Sequence, residues 1–409
     1  MIFIKAGMLI DGVNTNPHSN MAVLIDGKVI KKVAPVDQID LPEGVEVIDA
    51  SHMTVMPGMV DCHVHVHTPG GPDENYSINA LKELQGTLAL WAYSFVLKDL
   101  RMGFTTLRSL SSPSYVDVAL RNAINQGYLP GPTLMVSGQG ISVTGGHMDK
   151  AEWSPDVFIS GRTGVGDGPW GCRKAAREQL KRGADLLKIN PCGGSIHNLV
   201  EPWHQEMTYE EMAAICEEAH WAGKRVAAHT SGGPGLTDAL RAGIDSVEHG
   251  PWLSDEHIEL MLRRNVFYTP TLSTNSRGIA MGKEAIDSSD EEWAWLMKND
   301  EDKWITLEKA KKAGVKIVTG TDAGFWIYHG ENALEMAELV KGGFTPMEAI
   351  QAATRVGAEC LGLEKKVGTI EEGKMADLVI VAGDPLKDIT LLQKEENIHQ
   401  VIKNGNIVK

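Results

Sequence analysis

His63 and His65 stand two residues apart in the run VMPGMVDCHVHV. An extended strand has a two-residue period, so both imidazoles leave the same face and can grip one cation between them. Such a pair is a weak signal alone. Four later apolar runs each end in a side chain able to coordinate or bridge a cation: Lys188 in LLKIN, His229 in AAHT, His249 in VEHG and Asp322 in TGTDAG. Buried without partners, these groups are costly, so each must be paired or metal-bound.

The elements that must bring them together are short strands alternating with helical stretches, the signature of βα units around a parallel sheet. Eight strands are expected, near residues 60, 107, 135, 187, 227, 247, 269 and 319, with helices such as YEEMAAICEEAHWAG between them. Eight units argue for a closed (β/α)8 TIM barrel, whose strand C-termini converge on one rim. The opening runs IFIKAGMLI, MAVLIDGKVIKKV and VEVIDA alternate like antiparallel strands. The same texture returns in MADLVIVAG and IHQVIKNGNIVK, where Asn404-Gly405 signals a hairpin. The expected α/β architecture is thus a barrel over residues 57–363 and a small β-sandwich domain built from both termini, residues 1–56 and 364–409.

With 409 residues the chain can form a core of roughly 250 residues plus a smaller unit. Its net charge of -15 disfavours nucleic acid and anionic membrane as partners. The start MIFIKAGMLIDG lacks the basic region and apolar run of a signal peptide, and no run is apolar enough to span a bilayer, so a cytoplasmic protein is expected. Cys62, Cys172, Cys192, Cys216 and Cys360 are scattered and odd in number, which argues against a disulfide framework or thiolate site. Strand alternation points Cys62 away from its histidine neighbours. His67 is expected beyond the strand's end, and His18, His52, His257 and His399 at the surface.

PGMVDCHVHV, ADLLKI, VAAHT, VEHG and TGTDAG together resemble the metal-binding strands of the amidohydrolase superfamily, and VGTIEEGKMADLVIVAGDPL resembles the segment after its barrel. The resemblance implies two divalent cations, zinc by expectation. His63, His65 and Asp322 would hold one, and His229 and His249 the other. It implies Lys188 as a carbamate (N6-carboxylysine) formed with carbon dioxide and bridging the pair. It also implies Asp322 as general base and acid in hydrolysis of a carbon–nitrogen bond at a carbonyl.

VTGGHMD and HGENALEMAELVKGGFTPMEAIQAAT are similar to the imidazolonepropionase-like and prolidase-like branch, which includes Xaa-Pro and Xaa-Arg dipeptidases. That branch implies cleavage of a dipeptide or N-acyl amino acid by a homo-oligomer. His147, on a loop from His147 to Gly171 too long for an ordinary connection, is expected to act catalytically by contacting the substrate carbonyl or carboxylate. Thr269 and Thr271 are expected at the rim, Thr271 in contact with substrate. Arg162, Arg173, His197 and His204 are candidates for carboxylate recognition, and Trp170, Trp203, Trp252 and Trp326 for an aromatic pocket. After His229 this chain reads TSGG, where dipeptidases of the branch place a Tyr, removing one carboxylate-recognising group. Competing readings are a hydrolase of cyclic amides, ureas or carbamates, a single-metal deaminase and a non-catalytic binding protein. Lys188 argues against the deaminase, and a filled ligand set argues against the binding protein.

Overall fold

The structure is a computed structural model describing residues 1–41, 43–72, 79–149, 164–193 and 204–409. Along the chain the first strands are β1 (Ile2–Leu9), β2 (His18–Asp26), β3 (Val29–Pro35) and β4 (Glu46–Pro57). Then follow β5 (Met59–Val64), β6 (Phe104–Ser109), β7 (Thr133–Val136), β8 (Ile141–Ser142), β9 (Gly164–Val165), β10 (Leu186–Ile189), β11 (Arg225–Gly232), β12 (Ser246–Trp252) and β13 (Phe267–Thr269). The last are β14 (Leu378–Val381), β15 (Ile398–Lys403) and β16 (Asn406–Ile407).

The two termini share one seven-stranded sheet, ordered β16-β15-β14-β4-β1-β2-β3. Its β15–β16 hairpin turns at Asn404 and Gly405, whose φ of 50° and 73° suit a tight turn. A Cβ on Gly405 would fall 1.9 Å from the Gly27 carbonyl oxygen, so only glycine allows that approach. The sheet curls until β3 meets the segment leading into β14: Ile30 N donates to Lys374 O at 2.8 Å and Ala376 N to Lys28 O at 2.9 Å. Ile4 and Val23 consequently share an apolar core with Leu378, Ile380 and Ile402, which makes the expected sandwich.

The barrel strands are parallel and buried, as in Leu186–Ile189, where even Lys188 is covered. Asp185 N donates to Val136 O at 2.7 Å, joining β7 to β10. An eighth segment closes the ring: Tyr268 N donates to Lys316 O at 2.9 Å, Cys62 N to Thr319 O at 2.9 Å and His65 N to Ala323 O at 2.7 Å. This segment, expected as a regular strand, makes isolated bridges at Ile317 and Ala323 instead. Asp322 interrupts its extended backbone with a φ of 60°. Glycine is needed at 320, because a Cβ there would lie 2.2 Å from Thr269 Cγ2 and 2.9 Å from His63 Cβ.

Capping boxes set the start of several barrel helices, among them Thr208 with Glu211 and Ser254 with His257. His257 is thus a correction to the expected surface histidine. It is buried, and its Nδ1 accepts from Ser254 N at 3.1 Å. Two helices, Leu272–Met281 and Asp290–Ala313, lie between β13 and the closing segment. All five cysteines are free and buried. Among the described residues no helix is long and apolar enough to cross a membrane.

Candidate active site

A cavity of about 330 Å³ opens at the C-terminal ends of the barrel strands. His63, His65, His147, Lys188, His229, His249, Thr271 and Asp322 all line it. The ligating atoms of His63, His249 and Asp322 lie within 4.8 Å of one another. Asp322 Oδ1 is 3.0 Å from His65 Nε2 and 3.4 Å from His63 Nε2, but makes no aligned hydrogen bond. The His229 and His249 rings are 4.6 Å apart between centroids, and those of His63 and His249 4.9 Å. Lys188 Nζ and His229 Nε2 are buried without a hydrogen-bond partner among the described residues. Unspent lone pairs and charges converging in a buried pocket form a donor set that fits divalent cations.

Burial keeps His63, His229 and His249 in the neutral form that ligation needs. It lowers His63 to about 4, against the pull of Asp322, and takes His229 and His249 well below their ordinary value. Burial likewise lowers the Lys188 amine to about 8, against the nearby carboxylates of Glu248 and Asp322. For Asp322 burial would raise the carboxyl, yet the imidazoles of His63 and His65 outweigh it and hold the group below the carboxylate range.

Four non-glycine residues among the described cavity lining have left-handed backbones: Ser111, His249, Thr271 and Asp322, with φ of 67°, 68°, 47° and 60°. Non-glycine residues adopt this region at a cost, and such strain concentrates at functional sites. Its effect at His249 is visible. Ser246 and Glu248 face the barrel interior, so simple alternation would send His249 outward, and the turn at residue 249 brings it back to the mouth. There His249 Nδ1 and Thr271 Oγ1 are hydrogen-bonded at 2.7 Å.

Beneath the cavity lies a charged cluster that the strand-end reading misses. Glu248 Oε1 accepts from Arg108 NH2 at 2.7 Å and from Ser246 Oγ at 2.6 Å, and Glu248 Oε2 is bonded to His63 Nδ1 at 2.9 Å. Arg108 also donates to Ser246 Oγ, to Thr269 Oγ1 and to the Cys62 carbonyl. Burial would neutralise both members, but each one's charge holds the other ionised. Beside His63, buried Asp61 accepts from His63 N at 3.0 Å, Thr321 Oγ1 at 2.6 Å and Asn332 Nδ2 at 2.9 Å, tying β5 to the closing segment. Burial lifts its carboxyl to about 6 against those bonds. The signal in the sequence was charge of opposite sign inside two apolar strands, FTTLRSL and SVEHG, which can be buried only as a pair.

His147 stacks on His229 with centroids 4.3 Å apart and rings inclined by 17°. Its loop is anchored by Glu206, whose Oε2 accepts from His147 N at 2.7 Å, while Oε1 is buried and unpartnered among the described residues. Burial raises the Glu206 carboxyl from 4.5 to about 7. The folded chain therefore binds this proton more tightly than the unfolded chain, so the contribution of Glu206 to stability is fullest below pH 4.5 and is lost as pH rises through about 7. Glu206→Gln should flatten that fall, measured as urea midpoints at several pH values. An unchanged slope would remove Glu206 as its source.

Other expectations fare differently. Thr269 is fully buried beside Arg108, beneath the rim where it was expected. Arg173 pairs with Glu217 and Glu218 on the outer surface and stands over the Trp170 ring, so neither belongs to the cavity. His204 is exposed and does not line the cavity. Trp252 sits behind the wall, its Nε1 donating to Asp302 Oδ2 at 2.8 Å. Of the expected aromatics Trp326 lines the cavity, joined by Trp295 and Phe325, and His67 lines it too. Cys62 packs with Phe267 and Val318, apart from the histidines. Arg162, His197 and Trp203 lie outside the described residues.

Comparison with known proteins agrees with this geometry. The profile described as Amidohydrolase family matches residues 54–408. Ochratoxinase of Aspergillus niger is 30% identical over 427 aligned residues, covering 99% of this chain and 86% of that protein. The crystal structure of a Xaa-Pro dipeptidase with methionine bound in its active site superposes with a TM-score of 0.91 at 34% identity, covering 100% of this chain and 99% of the other. A prolidase complexed with N-methylphosphonate-L-proline gives a TM-score of 0.87 at 29% identity, over 100% of this chain and 99% of that one.

Proposed function

Because the chain belongs to the amidohydrolase family and is a hydrolytic enzyme acting on carbon–nitrogen bonds, we propose that it cleaves the amide of a dipeptide or an N-acyl amino acid. In this reading His63, His65, Lys188, His229, His249 and Asp322 hold two divalent cations, zinc in the first instance. The observation that carries it is the meeting at one barrel mouth of buried neutral imidazoles, an aspartate and a lysine amine that has no hydrogen-bond partner among the described residues. Cations bound there would polarise the scissile carbonyl and lower the pKa of a water.

The chain's own groups supply the rest. Glu248 and Thr271 engage the Nδ1 atoms of His63 and His249 and leave each Nε2 free to point into the cavity. Lys188 adds through its nitrogen to the carbon of carbon dioxide and loses a proton to solvent, and the carbamate anion offsets cationic charge. Asp322 accepts the proton of the attacking water and returns it to the leaving nitrogen. His147 contacts the substrate carbonyl or carboxylate.

Lys188→Ala should lower cation content and cut kcat/KM at least about 100-fold, since even supporting residues of metal sites cost 10–100-fold. Elemental analysis beside the rate checks this, and full two-cation occupancy in the variant would contradict the carbamate.

One observation favours a second reading, in which the substrate is an uncharged cyclic amide, urea or carbamate. The basic side chains among the described lining residues, apart from histidines, are Lys188 and Lys303, and Lys303 is already engaged by Leu272 O, Ser276 Oγ and Asp300. The zinc-reconstituted enzyme should therefore be assayed on dipeptides, N-acyl amino acids and these neutral substrates together. Release of amino acid supports the first reading. Turnover confined to neutral substrates overturns it.

A further inference from the structure

Thr271 is the N-cap residue of the helix Leu272–Met281, with φ 47° and ψ 46°. In this left-handed region a β-branched residue is a rare outlier, and such strain persists only where the surroundings impose it. A threonine at the N-cap ordinarily has an extended backbone and accepts from an amide of the first turn. Here the hydroxyl makes no capping bond, because it is spent on His249 Nδ1 at 2.7 Å. The orphaned amides are taken up from another helix, Leu334–Lys341. Its Glu335 is fully buried and accepts from Leu272 N at 2.9 Å, Ser273 N at 2.8 Å and Ser273 Oγ at 2.7 Å. Lys303 Nζ holds the Leu272 carbonyl at 2.9 Å. Glu335 is not among the described residues that line the cavity. The turn before it reaches the first barrel strand in a similar way: Asn332 Nδ2 donates to Asp61, which receives His63 N, and His329 Nε2 lies 3.3 Å from the His65 carbonyl.

We infer, on the reading that His249 ligates a cation, that Glu335 is a positioning residue for that ligand. By capping the helix in place of Thr271, it releases the threonine hydroxyl to orient the His249 imidazole. Without Glu335, Thr271 relaxes to the extended backbone of an ordinary cap, and its hydroxyl turns to the amides and away from His249.

Calorimetric titration of the chelator-stripped full chain with zinc tests this. Thr271→Val removes the hydroxyl outright and should weaken the zinc held by His249 about 10–100-fold, as the loss of a ligand's hydrogen-bond partner does. Glu335→Ala should weaken the same zinc by a similar factor, and Glu335→Gln, which keeps one acceptor oxygen, by less. Glu335→Ala added to Thr271→Val should weaken it no further. Wild-type zinc affinity in Glu335→Ala, with only the urea midpoint lowered, would make Glu335 a helix cap and nothing more. Losses that multiply in the double variant would mean that it acts by a route other than Thr271. Either result overturns the assignment. Where Glu335→Ala does not fold, Glu335→Gln decides by the same comparison with and without Thr271→Val. The two readings fail separately: two tight zinc ions indifferent to Glu335 keep the two-cation site and sink the assignment, whereas a single zinc weakened by Glu335→Ala does the reverse. A wild type that takes up no zinc removes both.

Discussion

Asp322→Asn is expected to lower kcat by about 10²- to 10⁴-fold, the usual contribution of a positioned proton carrier, while cation content stays close to that of the wild type. Asparagine keeps the shape and one oxygen of the aspartate, but it cannot accept a proton and return it. The carboxylate is placed for both duties, buried beside His63 and His65 and turned to the cavity by its left-handed backbone. Metal analysis and steady-state kinetics on the same preparation give the answer. A near-normal rate would remove Asp322 as proton carrier, and a lost rate with lost metal would show ligation alone.

Glu248→Ala should have the largest effect on stability, about 3–5 kcal/mol, because it leaves the buried Arg108 guanidinium without its counter-charge. It also strips His63 Nδ1 of its partner, so cation affinity should fall about 10–100-fold. The two effects separate in a double variant. Arg108→Met with Glu248→Leu replaces the ion pair by apolar groups of similar bulk, which should restore much of the unfolding midpoint but leave cation affinity low. Recovery of both would mean that the pair matters to packing and not to His63.

The cavity's ligand candidates were legible because a barrel gathers strand ends. Lys188, His229, His249 and Asp322 each close an apolar run, and position alone predicts that they meet. Residues acting one layer lower were not, because Arg108 and Glu248 sit on strands that are not neighbours and meet only across the closed interior. The closing segment was placed correctly but mistaken for a regular strand, since the left-handed backbone at Asp322 breaks strand geometry at a residue type that strand periodicity does not flag. An aromatic pocket including Trp326 was expected, but Trp295 escaped for another reason. Trp295 lies on a 24-residue helix far from any motif, and its helical spacing resembles that of any core tryptophan.

The place of β4 in its sheet carries a consequence for synthesis. β4 lies between β1 and β14, and its antiparallel partner begins only at Leu378. A nascent chain leaving the ribosome has β1 to β4 in hand early, but the edge at Thr54–Pro57 stays unpaired until nearly all of the chain has emerged. The first barrel strand hangs from that unfinished edge across the single residue Gly58. Exposed strand edges recruit other chains. A message truncated after the last barrel helix would encode every residue proposed for the cleft, yet its product would fail first by aggregation and not by loss of chemistry.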